Sequence, residues 1–180
     1  MPRYVLDAGV VIALQRTGHL DALASIATRF TLLVIEEVYD EVADPFGGKY
    51  AAEAAQAKAA LDVHANVVSI DPTSDAGRRL DALRARKKKS TKADLGEAAS
   101  IAWAFENADA VFVTRDYLAS FLALDELHGR VTTFFQFLRE AVEAGGLEPA
   151  KARLIATAAS ITDGVRAIPP LWWDAWLAGK

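Results

Sequence analysis

The sequence predicts an α/β domain of three layers, a short parallel sheet covered by helices on both faces. Two observations point there. Strand-like runs of four or five residues alternate with helical runs of ten or more, the order that a sheet built from crossover helices requires. About half of the 180 residues are apolar, enough for a sizeable core in one domain and too many for a disordered chain. The chain shows no internal repeat and no low-complexity segment beyond alanine enrichment.

Taken in order, Arg3–Leu6 (RYVL) is the first strand and ends on Asp7. AGVVIALQRTG follows as a helix closed by Gly18, and His19 to Thr28 reads as a second helix. Phe30 to Val34 is the next strand, followed by a helix from about Ile35 to Ala43 that the turn-forming DPFGG stops. Tyr50 to Val63 is an alanine-rich helix and Val67 to Ile70 a strand. Asp71-Pro72 begins a turn before a helix from about Ser74. Ala93 to Phe105 (ADLGEAASIAWAF) is a helix that is almost wholly apolar after Glu97, and so is expected in the core. Ala110 to Val113 is a strand running into Thr114-Arg115-Asp116, with a helix after it to about Leu124. Arg130 to Thr133 is a last short strand before the helix Phe134 to Ala144. Residues 1–144 are thus expected to form the main domain. Residues 145–180, with a helix from Glu148 to about Thr162, Pro169-Pro170 and a tryptophan-rich end, are expected as a helical extension packed on it, since about 35 residues rarely fold alone.

The composition excludes several classes. With no cysteine there is no disulfide and no thiolate metal site. The longest early apolar run, Ala8 to Leu14, is too short to span a bilayer, and Asp7 interrupts it where a signal peptide would carry positive charge, so a cytoplasmic protein away from membranes is expected. His19, His64 and His128 are scattered. No nucleophile elbow appears, and Phe46-Gly47-Gly48-Lys49 lacks the spacing of a phosphate-binding loop.

The acids carry more information. Ligands of open parallel sheets bind at the carboxyl ends of the strands. Asp7 stands at one such end and Asp116 just past another. Glu36, Glu37, Asp40 and Glu41 open the helix after the second strand, and Asp94 and Glu97 open the apolar helix. First-turn acids commonly serve as caps that complement the helix dipole. Capping explains one acid at a time and fits Asp7 least well, because it lies between apolar runs where a charge is costly unless paired. Converging carboxylates repel one another, each raising the pKa of the next, and a divalent cation relieves this. Oxygen-only ligands suit Mg²⁺ or Mn²⁺, which would lower the pKa of bound water and offset charge on a phosphoryl oxygen.

The order YVLDAGVVIAL, IEEVYDEV, DLGEAASIA and VFVTRD resembles the PIN-domain family of metal-dependent ribonucleases, most closely its compact prokaryotic branch of VapC-like toxins. The resemblance covers roughly Arg3 to Glu140. It implies a Mg²⁺- or Mn²⁺-dependent endoribonuclease in which Asp7, Glu41, Glu97 and Asp116 are catalytic and hold the metal, with Thr114 and Asp94 in support. Glu37 stands as the alternative to Glu41, and Asp94 as the alternative to Glu97. It further implies a homodimer and a small antitoxin protein as partner. The competing function is a catalytically silent PIN-like binding module. A phosphohydrolase with Asp7 as nucleophile would want an acid two residues on, where Gly9 stands.

A net charge of -4 gives the whole chain no attraction to nucleic acid, so an RNA-binding chain needs a local basic guide. Arg84, Arg86, Lys87, Lys88, Lys89 and Lys92 supply one directly ahead of Asp94 and Glu97, with Arg115 beside the last acid. Trp172, Trp173 and Trp176, at i, i+1 and i+4, are expected to pack back on the chain's own core, with a protein interface as the alternative.

Overall fold

A computed structural model describes residues 1–43, 51–86, 92–163 and 171–179, with backbone alone at 92–94 and 160–163. The DPFGG stop, the FGGK segment, the start of the alanine-rich helix at Tyr50, Lys87–Lys89 and Pro169-Pro170 lie outside the described residues.

Five strands form a parallel sheet: β1 (Arg3–Leu6), β2 (Thr31–Ile35), β3 (Asn66–Val68), β4 (Ala110–Thr114) and β5 (Val131–Thr133), in the order β3-β2-β1-β4-β5. In register, Val5 stands beside Leu33 on one side and Phe112 on the other. The edge strands β3 and β5 have three residues each, which limits the unpaired backbone they expose.

Alternation along the strands divides the core between two faces. Tyr4, Leu6, Leu32, Val34 and Val113 point to one face. There they meet α1 (Ala8–Arg16), α2 (Ala22–Ala27), α3 (Glu36–Ala43), α4 (Ala51–His64) and α8 (Phe134–Glu143). Val5, Leu33, Ile35, Ala110 and Phe112 point to the other, against α5 (Asp75–Arg86), α6 (Lys92–Glu106) and α7 (Tyr117–Glu126). The chain therefore winds β1, β2, β3 with its helices on one face and returns to β4 and β5 with its helices on the other. The predicted three-layer α/β/α class is what the structure has.

Helix α6 fills the second face. Ala98, Ala99, Ile101, Ala102, Trp103 and Ala104 are buried. Phe105, expected in the core with them, is 37 % exposed and lies under the Arg79 guanidinium, 4.5 Å from its carbon to the ring centre. Arg79 and Arg86 of α5 both pair with Glu126, a buried acid at the end of α7. This clasp joins α5 to α7, and a buried charge needs such partners.

After α8 the chain continues through α9 (Pro149–Asp163) and α10 (Trp172–Ala178). Ala152, Ile155, Ala156, Ala159, Trp173 and Leu177 belong to the same cluster as Tyr4 and Leu6. Trp173 is buried and meets Phe135 edge-to-face at 5.5 Å, as expected of a tryptophan end packed on its own core. Trp172 remains partly exposed beside Arg139, 5.4 Å away.

Gly77 allows the closest backbone approach. A Cβ there would lie 2.5 Å from the carbonyl oxygens of both Asp71 and Pro72, so α5 seats on the preceding turn only because position 77 lacks a side chain. Gly77→Ala should destabilise the fold by about 1–3 kcal/mol, read as a lower urea midpoint with unchanged slope. Wild-type stability in this variant would contradict the seating.

Candidate functional site

Strand order makes one place in the sheet special. From β1 the chain moves outward to β2 and β3, then returns to β4 on the other side of β1. The carboxyl ends of β1 and β4 flank the point of reversal, where open α/β sheets form their binding crevice. Asp7 follows β1 directly, and Asp116 comes two residues after β4.

Asp7 continues the sheet hydrogen bonding by donating its N–H to the Val113 carbonyl at 3.0 Å. Its backbone is extended, and its carboxylate does not cap α1. The side chain is instead held by Thr114, the buried last residue of β4. The Thr114 hydroxyl donates to Asp7 Oδ2 at 3.1 Å and accepts the Asp116 N–H at 3.0 Å. One hydroxyl thereby ties together two acids that are 109 positions apart in the sequence. Asp116 caps α7: its Oδ1 accepts the N–H groups of Leu118 and Ala119 at 2.7 and 3.2 Å. Both bonds go to Oδ1, which leaves Oδ2 as the atom able to take a ligand.

The other acids approach from α3 and α6. Glu97, in α6, is near enough to Asp7 for its charge to act on that carboxyl, as Asp116 does. Glu41, in α3, lies against the same turn of α6: a Cβ on Gly96 would stand 3.0 Å from Glu41 Oε2 and 3.0 Å from Val38 Cγ2. Gly96 therefore lets α3 bring Glu41 up against the turn of α6 that carries Glu97. Glu37, one turn earlier, has Oε2 buried with no hydrogen-bond partner among the described residues. Glu36 and Asp40 are exposed. The Asp94 side chain lies outside the described residues.

Electrostatically, Asp7 is under strain. Its carboxyl is pushed from 3.8 up to about 6, chiefly by burial. The Thr114 hydrogen bond opposes the shift, the charge of Glu97 adds to it, the Ala8 N–H opposes it, and Asp116 adds a smaller push.

The basic residues divide. Arg84 is exposed on α5, whereas Arg86 is engaged by Glu126 at 2.7 Å. Arg115 is folded over the site's edge, donating to the Gly9 carbonyl at 3.2 Å and lying 5.8 Å from the centre of the Phe134 ring. Lys87, Lys88 and Lys89, and the side chain of Lys92, lie outside the described residues. Sequence reasoning missed Gly96 and the Glu126 clasp. The small residue between Leu95 and Glu97 was a visible signal for the first. Nothing local marks the second, whose arginines come 40 and 47 positions earlier.

Asp7, Glu97 and Asp116, with Glu41 on the neighbouring helix, all offer carboxylate oxygens, the donor type that suits Mg²⁺ or Mn²⁺. The buried Asp7 carboxyl, raised further by the charges of Glu97 and Asp116, fits a divalent cation as counter-charge. Among the described residues, no three acidic or imidazole side chains are drawn in tightly enough to hold an ion as they stand. Mg²⁺, however, commonly binds through one or two carboxylates and keeps several waters.

Carboxylates at the reversal point of a parallel α/β sheet place the chain among α/β domains that carry an acidic edge where such sheets bind their ligands. Comparison with protein families then gives the narrower assignment: the family model described as PIN domain matches residues 3–160, and the chain belongs to that family. The matched span runs beyond α8 through most of α9. No curated protein and no solved structure gives a significant match. PIN domains are in general nucleases. Among the described residues, no helix is long and apolar enough to cross a membrane.

Ionising Asp7 weakens the metal-free fold. The carboxyl ionises near 3.8 when unfolded and near 6 when folded. Relative stability is therefore fully present below pH 4 and declines as pH rises to 6, by about 3 kcal/mol in all. With chelator present, the stability of Asp7→Asn relative to wild type should rise by about that amount between pH 4 and pH 7 in urea titrations. A difference independent of pH would contradict the burial of Asp7.

Proposed function

We propose that the chain is a Mg²⁺- or Mn²⁺-dependent endoribonuclease, a VapC-like toxin of a toxin–antitoxin pair, acting in the cytoplasm as a homodimer. In this reading residues 1–144 form the nuclease domain and 145–180 a helical extension packed on it. The observation that carries the reading is the Thr114 hydroxyl linking buried Asp7 to Asp116 at the sheet's reversal point, with Glu97 close enough to act on Asp7. A linkage of two acids through a buried hydroxyl serves no evident packing purpose. It does fix two ligands relative to each other.

Asp7, Glu41, Glu97 and Asp116 hold the ion in this proposal, with Glu37 the alternative to Glu41 and Asp94 the alternative to Glu97. When bound, a divalent cation would lower the pKa of a coordinated water and offset charge on a phosphoryl oxygen. Thr114 orients both acids, and the α7 N-terminus fixes the rotation of the Asp116 carboxylate through Oδ1. Arg84, Lys87, Lys88, Lys89, Lys92 and Arg115 grip phosphates beside the scissile bond, bringing RNA to a rim that its own acids would repel. Arg86 joins them only by loosening its bond to Glu126. A small antitoxin would silence the enzyme by covering the acidic rim.

The test is incubation with a mixed RNA pool in Mg²⁺ or Mn²⁺. Cleavage should stop in chelator and should fall at least on the order of a hundredfold in Asp116→Asn. Cleavage that survives chelation or this substitution would sink the mechanism.

A further inference from the structure

Helix α7 leaves two aromatic rings in the open beside the candidate metal-binding acids. Its inner side is fully used, with Ala119 and Ala123 in the core and Glu126 in its clasp. On the outer side Tyr117 is 73 % exposed and Phe121 53 %. The two stand one helical turn apart and hold each other edge-to-face, with ring centres 4.6 Å apart and planes at 82°. They form an open corner of two perpendicular rings. Leu118 and Leu124, also exposed, extend the apolar surface beside it. Exposed apolar surface of this kind marks an interaction site.

Place and charge decide what the corner takes. Tyr117 directly follows Asp116, whose Oδ1 is fixed by α7 and whose Oδ2 is the atom able to take a ligand. A phosphodiester brought to that atom through a metal ion would have its own nucleotide within reach of the Tyr117 ring. Arg115 precedes Asp116 and borders the acids. A Cβ on Gly9 would lie 3.4 Å from Asp7 Oδ2 and 3.8 Å from Arg115 Cβ. Helix α7 itself contains no lysine or arginine, so nothing along it grips a phosphate. Its exposed rings suit the uncharged part of a nucleotide, the base.

A protein partner fits less well. The exposed parts of the four side chains amount to on the order of 500 Å², short of the roughly 800 Å² that each side of a standard interface contributes. A second copy laid antiparallel would also bring Asp116 up to Asp125 and Glu126 at the far end of α7.

We propose that Tyr117 and Phe121 form a stacking subsite for a base adjoining the scissile phosphate. The proposal rests on the nuclease reading and deepens it by naming the form of the substrate. A base inside a duplex has its faces covered by its neighbours, and only an unpaired base can turn a face to a ring. The subsite therefore selects single-stranded RNA at the cut. Because every base has such a face, it selects strandedness and not sequence. Tyrosine and phenylalanine have two side-chain torsions each, and the ring pair already restrains them, so little freedom is lost on binding.

The test uses the full chain with a single-stranded RNA and the duplex of the same sequence, in chelator so that neither is cut. The strand carries, at successive positions, a fluorescent adenine analogue whose emission falls on stacking. Wild type should bind the single strand at least roughly tenfold more tightly than the duplex and quench the analogue. Tyr117→Ala should weaken single-strand binding by about 5- to 100-fold and abolish the quenching, with an unchanged circular dichroism spectrum, while Tyr117→Trp keeps both. In Mn²⁺ the same loss should appear in KM, with kcat within about twofold of wild type.

Wild-type affinity in Tyr117→Ala would overturn the subsite, and so would a wild type that binds duplex as tightly as single strand or binds no RNA. A self-associating wild type that Phe121→Ala turns monomeric would overturn it too, since the face would then belong to a protein. The two readings fail separately. Cleavage unchanged in Tyr117→Ala removes the subsite and leaves the nuclease. Quenching by wild type without cleavage in Mn²⁺ supports the subsite and removes the nuclease.

Discussion

Parallel pairing of β1 with β4 brings the first and last acids of the site together, and much of the rest of the molecule supports that pairing. The two strands are neighbours because the chain runs outward through β2 and β3 before returning. Their register sets Leu6 beside Val113, and Asp7 takes up the next hydrogen bond. Thr114 then stands where its hydroxyl reaches both Asp7 and the Asp116 N–H. Slipping the pair by one residue would turn Thr114 to the opposite face and break both bonds. The two core clusters prevent such a slip, since it would also turn Leu6, Val5, Phe112 and Val113 the wrong way.

The helices complete the arrangement. Helix α6 is supported by the second core along almost its whole length, so its first turns, with Gly96 and Glu97, are held firmly against α3. The absence of a side chain at Gly96 lets Glu41 come close. At the other strand end, α7 anchors Asp116 through two backbone bonds and is itself tied to α5 by Glu126. The cost of the arrangement falls on Asp7, a carboxyl buried beside other carboxyls. Functional sites are where such strain is expected, and a carboxyl shifted by burial and like charge is a marker of one.

Much of this was legible in the sequence. RYVL ending on an aspartate, and AVFV running into TRD, placed two acids at strand ends from pattern alone. The alternation of short apolar runs with longer helices gave the layer architecture. Boundaries were less legible. β3 is Asn66–Val68 where Val67 to Ile70 was expected, because at the sheet edge few contacts beyond the β2 pairing define its length. The second helix is Ala22–Ala27 rather than His19 to Thr28, since only Ala22, Leu23 and Ile26 find core to bury against. Strand order could not be read from pattern, so the reversal point was invisible, and with it the role of Thr114 as a bridge between acids.

The central claim is that a divalent cation offsets the charge gathered around Asp7. Thermal unfolding with and without Mn²⁺, on wild type and Asp7→Asn side by side, tests it without recourse to any substrate. The account predicts that Mn²⁺ raises the wild-type Tm, more at pH 7.5 than at pH 5 because protons compete for Asp7, and leaves Asp7→Asn nearly unmoved. An equal shift in both proteins, or none in either, would contradict it.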